Sequence, residues 1–514
     1  MGASAQADNA RPRLVVGIVV DQLRTDYIEY LQSYFGERGF RTLLTDAVYM
    51  RDVDFKVPGL DGVNATAMLF TGAYPSQTGV PAASVFDVST GQGTLRLPLA
   101  GSGQSVTNDS FTPAGLRLST VADELVIDGG GAPQVYSVAM DPQQAVIMAG
   151  HAGKGAFWVN NASGNWATTS YYGPMPSAVS QRNFRNSLAQ RIDTMQWRPS
   201  ARLAQVAGLP THKKTSPFRY TFSRQDRDVY KKFAASALSN AEVTDVAIEL
   251  LRNLNLGQNP GETDMLNVAY TLAPFKYVTD GVTRAELTDA YLRLDAQLSR
   301  LIEAVDRTVG ERNSVIWLTS TGYYDDAVAV EEKYRLPGGE FSARKARSLL
   351  NSYLSAKFGA GQYVSAIREG QVYFDRHTLE SMRLDPTQVI DDARTFIAKM
   401  SGVADAITVD DILSPRTDEE RALRLAVDPR TCGDIIIRFA PGWCVAYDEQ
   451  TSAQTKYTRE SAVMTPAFLR VPGVAPRTIS TTVDAVSLAP TLSGAIRIRA
   501  PNGAGSRGIE LGTR

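Results

Sequence analysis

The residues best suited to chemistry are scarce in this chain. Its 514 residues include three histidines, His151, His212 and His377, and two cysteines, Cys432 and Cys444. A dinuclear transition-metal centre with nitrogen ligands needs several imidazoles converging on one point. No histidine here lies at ligand spacing from another histidine or a cysteine. His151, in Ala149-Gly150-His151, reads as structural, and His212, before Lys213-Lys214 in a Pro-rich stretch, reads as solvated. His377 follows the strand-like Gln371-Val372-Tyr373-Phe374. Cys432 and Cys444 flank a β-branched apolar run and read either as a disulfide or as two free thiols, not as a zinc site. No Gly-x-Ser-x-Gly elbow occurs, and Gly101-Ser102-Gly103 lacks the Lys-Ser/Thr of a phosphate-binding loop. Oxygen ligands remain: Asp21, Asp61, Asn64 and the pair Asp325-Asp326 could gather at one sheet edge around Mg²⁺ or Ca²⁺. The competing reading makes each of them a cap, turn or surface residue.

The elements that must position these groups are legible. Leu14 to Val20 is a continuous apolar run, as expected of a buried parallel strand, and it ends at Asp21-Gln22. Open α/β sheets place their sites at such carboxyl ends. Met265 to Tyr270 and Ser314 to Thr319 read the same way. Between them, Leu287, Tyr291, Leu294, Leu298, Leu301, Ile302 and Val305 recur at helical spacing up to the stop at Gly310. Strand, helix, strand in this order predicts an α/β fold, a parallel sheet with helices on both faces. Residues 1–10 read as a tail or the remnant of an export signal, residues 11–324 as the first part of the core, 325–430 as an inserted cap, and 431–514 as the rest of the core. Within the cap, Ser342 to Phe358 and Thr387 to Met400 predict helices. Thr90 to Thr112 reads as a loop, and Thr482 to Pro490 as short alternating elements. With 53 basic and 54 acidic residues the formal net charge is −1, so no global field favours nucleic acid. No apolar run reaches the length of a membrane span.

Many short segments, in order, carry a resemblance. Val19-Val20-Asp21-Gln22-Leu23-Arg24, Phe70-Thr71-Gly72-Ala73-Tyr74-Pro75, Ala149-Gly150-His151, Leu292-Arg293-Leu294-Asp295, Gly433-Asp434-Ile435 and Leu488-Ala489-Pro490-Thr491 span most of the chain. Together they resemble the phosphate-irrepressible alkaline phosphatases of the bacterial periplasm, in the alkaline phosphatase superfamily with the type I phosphodiesterase/nucleotide pyrophosphatase-like enzymes. The resemblance implies a three-layer α/β/α sandwich with a central, mostly parallel sheet and cap insertions. It also implies an exported or periplasmic protein, two zinc ions, and a Thr or Ser nucleophile.

Carried over position by position, that machinery is missing. The first ligand position is Asp21, the only family ligand retained. The nucleophile position falls on Gly62, beside Asp61, and Thr66 stands where the family has a histidine. The later ligand positions fall on Pro274, Val278, Thr321, Gly322 and Met464. The phosphate-facing Lys and Arg positions hold Asp141 and Gln143, and the Asn position holds Ala83. The resemblance therefore leads to an inactive relative with no cofactor, one that binds a protein partner or small ligand in a degenerate cleft. An active phosphate- or sulfate-ester hydrolase with a rebuilt metal site is the alternative. Losing zinc while its ligands stayed buried would strand charge at several kcal/mol; losing both together avoids that cost.

Overall fold

The computed structural model describes residues 11–87, 94–96, 99, 111–206, 218–275, 277, 284–324, 339–440, 443–446, 456–457 and 463–512. The strands used below are, in chain order, β1 (Leu14–Asp21), β2 (Val48–Met50), β3 (Val135–Val138), β4 (Gly155–Val159), β5 (Trp166–Ala167), β6 (Asp264–Thr271) and β7 (Ser314–Ser320). Then come β8 (Gly339–Ser342), β9 (Val364–Arg368), β10 (Gln371–Phe374), β11 (Val403–Thr408), β12 (Ile435–Phe439), β13 (Trp443–Ala446), β14 (Ala467–Arg470) and β15 (Arg477–Ile479). The helices used below are α1 (Thr25–Leu31), α2 (Gly62–Thr71), α3 (Val121–Asp128), α4 (Pro142–Ala149), α5 (Ser239–Asn253), α6 (Arg284–Thr308), α7 (Ala343–Phe358), α8 (Pro386–Ile397) and α9 (Leu488–Ile496).

The central sheet runs β15-β2-β14-β7-β1-β6-β3-β4-β5. The five strands from β7 to β4 are parallel, while β14 and β5 are antiparallel to their neighbours. Side chains along a strand alternate between faces, so a strand covered on both sides must be apolar throughout. In β1, Val16, Ile18 and Val20 join one core with Ile28 of α1, Val246 of α5 and Leu294 of α6. Val15 and Val19 face the other core with Phe70 of α2, Val146 of α4 and Leu492 of α9. Each such side chain contributes ~1.5–3 kcal/mol of burial, which anchors the strand whose last residue is Asp21. This is the three-layer α/β/α architecture expected. Among the described residues no helix is long and apolar enough to cross a membrane.

The cap has its own antiparallel sheet, β9-β10-β12-β11, and its own apolar cluster, which includes Leu350 and Leu354 of α7, Val389 of α8 and Ile435 of β12. Two expectations need correction. The cap does not end at residue 430: β12 pairs with β10 and β11, and β13 pairs with β8. A short apolar run such as Ile435-Ile436-Ile437 has no periodicity that assigns it to one sheet or another. Leu488 to Ile496 is a helix, not a strand-like element, because Pro490 sits in its first turn, where no intrahelical N–H bond is lost. Most of the expected loop from Thr90 to Thr112 lies outside the described residues; within it Thr94–Arg96 pairs with Val85–Asp87.

Candidate functional site

The site forms where the carboxyl ends of β1 and β7 meet the amino ends of α2 and α4. Strand β1 presents Asp21, and Thr321 immediately follows β7. The Thr321 hydroxyl donates to Asp21 Oδ1 at 2.9 Å and accepts from the Gln22 amide at 2.9 Å. Gln22 holds a left-handed backbone (φ 61°) although it is not glycine. Such strain persists only when its surroundings over-determine it, and it marks this strand end as a specialised place.

Gly62 opens α2. A Cβ built there would lie 3.1 Å from Gln144 Nε2 and 3.3 Å from Asp21 Oδ1. The structure thus brings together Gly62 and Asp21, as the family positions require, but Gln144 closes the gap between them. Its Nε2 donates to the Gly62 carbonyl at 2.9 Å and to Thr66 Oγ1 at 3.2 Å. The Thr66 hydroxyl itself donates to the Gly62 carbonyl at 2.5 Å. Asp61 is the N-cap of α2: one carboxylate oxygen accepts from the amides of Val63 and Asn64, the other from Ala83 at 2.7 Å. Asn64 completes the capping box by accepting from the Asp61 amide, and donates to the carbonyls of Gly59 and Pro81.

The positions of the phosphate contacts are equally committed. Asp141 caps α4, accepting from the amides of Gln143 and Gln144. Burial pushes its carboxyl above the usual range; the two amides oppose this, and the nearby Asp61 charge adds to it. Gln143 bonds the Ala83 carbonyl at 2.8 Å and accepts from the Leu99 amide at 3.4 Å. A carboxylate and amides are poor hosts for a phosphate dianion.

The implied zinc pair can be tested against what occupies each ligand position. Pro274 is buried and carries no donor atom. Gly322 has φ 77°, and a Cβ there would fall 2.0 Å from the buried ring of Phe55, so the space of a side chain at 322 is filled. Met464 is 40% exposed, and its carbonyl accepts from the Thr25 amide. Val278, His212 and Asp325-Asp326 lie outside the described residues. Among the described residues no three His, Cys, Asp or Glu side chains come together in a way that could hold a metal ion. Among the described residues, those at the implied ligand positions do not fit two zinc ions.

The remaining candidates lie elsewhere. His151 follows the far end of α4, so about 12 Å of helix separates it from the Asp141 end. Its Nδ1 meets Asp123 Oδ2 at 3.1 Å and its Nε2 meets the Leu116 carbonyl at 3.0 Å. Two acceptors around one ring favour the doubly protonated form; the Asp123 bond raises its pKa while burial opposes. His377 is exposed in a first turn capped by Asp375. Cys432 carries a free thiol, pushed up to about 11 by burial and by Asp434 and Asp428, which leaves the disulfide reading without support. Residue-by-residue reading overlooked Gln144 and Phe55. Asp141-Pro142, a cap followed by a first-turn proline, was the available signal that Gln144 begins a helix beside Asp141. Nothing local in the sequence points Phe55 at Gly322.

Comparison with known proteins gives this geometry its context. Residues 15–463 match the family model described as type I phosphodiesterase / nucleotide pyrophosphatase. The alkaline phosphatase PafA of Elizabethkingia meningoseptica is 28% identical over 97% of this chain and 94% of its own length. The alkaline phosphatase PhoV of Synechococcus elongatus is 24% identical over 96% of this chain and 92% of its own. The crystal structure of wild-type PafA superposes with a TM-score of 0.84 at 25% identity, covering 98% of this chain and 99% of that one. The chain therefore belongs to the type I phosphodiesterase/nucleotide pyrophosphatase family and carries the alkaline-phosphatase-like fold.

Proposed function

We propose that this chain is a catalytically inactive member of its family, retained in the cell envelope to bind a partner protein or a small ligand at the altered cleft. One observation carries the reading: Asp21 and Gly62 are adjacent, yet the carboxylate is bonded to Thr321 and the nucleophile position has no side chain. Phosphate-ester hydrolysis needs accelerations of up to ~10²¹-fold, supplied in this fold class by metals and an activated hydroxyl. Neither has a place among the side chains described. Purified protein should therefore turn over phosphomonoesters and phosphodiesters at background rates, with and without added zinc. Chelator-sensitive turnover would sink the reading.

The names of the relatives favour a second reading, an active ester hydrolase with a rebuilt metal site. Metal analysis of protein purified without chelators separates the two, since a stoichiometric transition metal supports the second. The cell-envelope setting rests on the resemblance to periplasmic enzymes and is checked by fractionation of expressing cells.

A further inference from the structure

A polar cavity of about 210 Å³ lies between the helix Ser177–Asn186 and α5. On this measure ~10–15 Å³ already holds a water, so there is room for a small organic molecule. Val179 and Val246 of these two helices belong to one core, while Phe70 of α2 and Val146 of α4 belong to the other, so the cavity and the cleft sit against opposite faces of the sheet. Gln181, Arg182, Arg185 and Asn186 line it from one helical face, and Glu249 and Asn253 line it from successive turns of α5.

The charges around it are unevenly matched. Buried Arg182 is shared by three carboxylates of α5: Glu242 at 2.9 Å, Asp245 at 3.1 Å and Glu249 at 2.8 Å. Glu242 has a second cation in Arg191 at 2.6 Å, and Asp245 has one in Arg300 at 2.6 Å. Glu249 has no second cation among the described residues, and only its Oε1 is bonded. Burial lifts its carboxyl above the ordinary range against the pull of Arg182, and the Asp245 and Glu242 charges add to the rise. Arg185 is the converse case. It is exposed, and its guanidinium bonds to no side chain or carbonyl among the described residues. The side-chain amides of Gln181 and Asn186 are likewise unbonded among the described residues. Asn253 Nδ2 donates to the Glu249 carbonyl at 2.7 Å, which leaves its amide oxygen as an acceptor.

We propose that this cavity binds a free α-amino acid with a polar, uncharged side chain. Its carboxylate takes the Arg185 fork, which matches two oxygens at once, and its ammonium takes the second oxygen of Glu249. A simple carboxylate would meet the like charge of Glu249, and a simple amine that of Arg185; a zwitterion satisfies both. The amides of Gln181, Asn186 and Asn253 suit a hydroxyl or carboxamide side chain. The site shares no element with the cleft, so it stands whether or not the cleft is catalytic.

The test is calorimetric titration of the full chain with L-glutamine and, separately, with L-serine. One saturable site is expected for at least one of them, weakened about tenfold in Arg185→Ala and in Glu249→Gln. Arg185 is exposed and unbonded, so its loss leaves folding intact; Glu249→Gln keeps an acceptor for Arg182. Thermal unfolding of each variant confirms that lost binding is not lost fold, and if Glu249→Gln unfolds, Arg185→Ala decides alone. No saturable binding of either amino acid by ~10 mM overturns the proposal, as does binding that Arg185→Ala leaves unchanged. Propionate binding as tightly as the amino acids would make this a simple anion site and overturns it too.

Discussion

The two ends of α4 behave in opposite ways. At its amino end, Gln144 bonds both Asp141 and the Gly62 carbonyl, and the neighbouring Asp21 accepts from Thr321, with no histidine in these bonds. At its carboxyl end, His151 and Asp123 form an ion pair. Burial pulls the Asp123 carboxyl up, but His151 and the amides of Thr120 and Ala152 outweigh it and hold it below its ordinary value. A titratable pair survives where it joins α3, α4 and the turn at Leu116. At the candidate site, the polar groups bond to one another instead. What the fold requires of its residues is separable from what a reaction requires.

The sharpest way to break this contrast is to put a ligand back. Gly322→His must place a Cβ 2.0 Å from the Phe55 ring and give a side chain to a left-handed residue. Strain and overpacking together should cost about 4 kcal/mol, read as a shift in the urea midpoint. Phe55→Ala alone should cost about 3 kcal/mol by leaving a cavity, and the double variant much less than the sum, because the ring is the obstacle. A Gly322→His protein as stable as the wild type would show that the ligand position is still open.

Asp123→Ala strikes the other end. It removes an acceptor shared by His151, the Thr120 amide and hydroxyl, and the Ala152 amide. With these donors stranded, unfolding should be easier by about 3 kcal/mol. A loss under about 1 kcal/mol would mean that the pair is ornamental, and the contrast would fail from that side.

The sequence made the fold legible because its signals were local and redundant. The run Leu14 to Val20 and the spaced apolar residues of α6 each specify an element and a buried face. Asp21 could be placed because it ends such a run. The candidate site was only half legible. Residue types can be read from the sequence, but what fills the space beside them cannot: Phe55 is 267 positions from Gly322, and their closeness depends on how β7 and the chain after β2 come together. The cap boundary was missed for the same reason, since strand partnership is a long-range property.

The His151 pair also has a pH signature. His151 is raised in the folded state, so its contribution is fully present below the unfolded value of ~6.5 and is lost as pH rises through the folded value. Asp123 is lowered, so its contribution is present above ~3.9 and is lost as pH falls through its folded value. The stability advantage of the wild type over His151→Gln should therefore be greatest between these limits and shrink towards alkaline pH, by about 1 kcal/mol. A gap that does not change across that range would remove the charge from the account of this end.

The smallest effect is expected at Asp21, and it discriminates most. In Asp21→Asn the amide oxygen can still accept from the Thr321 hydroxyl, which in turn still accepts from the Gln22 amide. Stability should change by less than about 1 kcal/mol, and ester turnover should stay at background in both proteins. A carboxylate that still held a cation would behave otherwise: added zinc would raise the wild-type melting temperature by mass action, and the substitution would abolish the rise. Overlapping zinc titrations of the two proteins are what an internally bonded Asp21 requires.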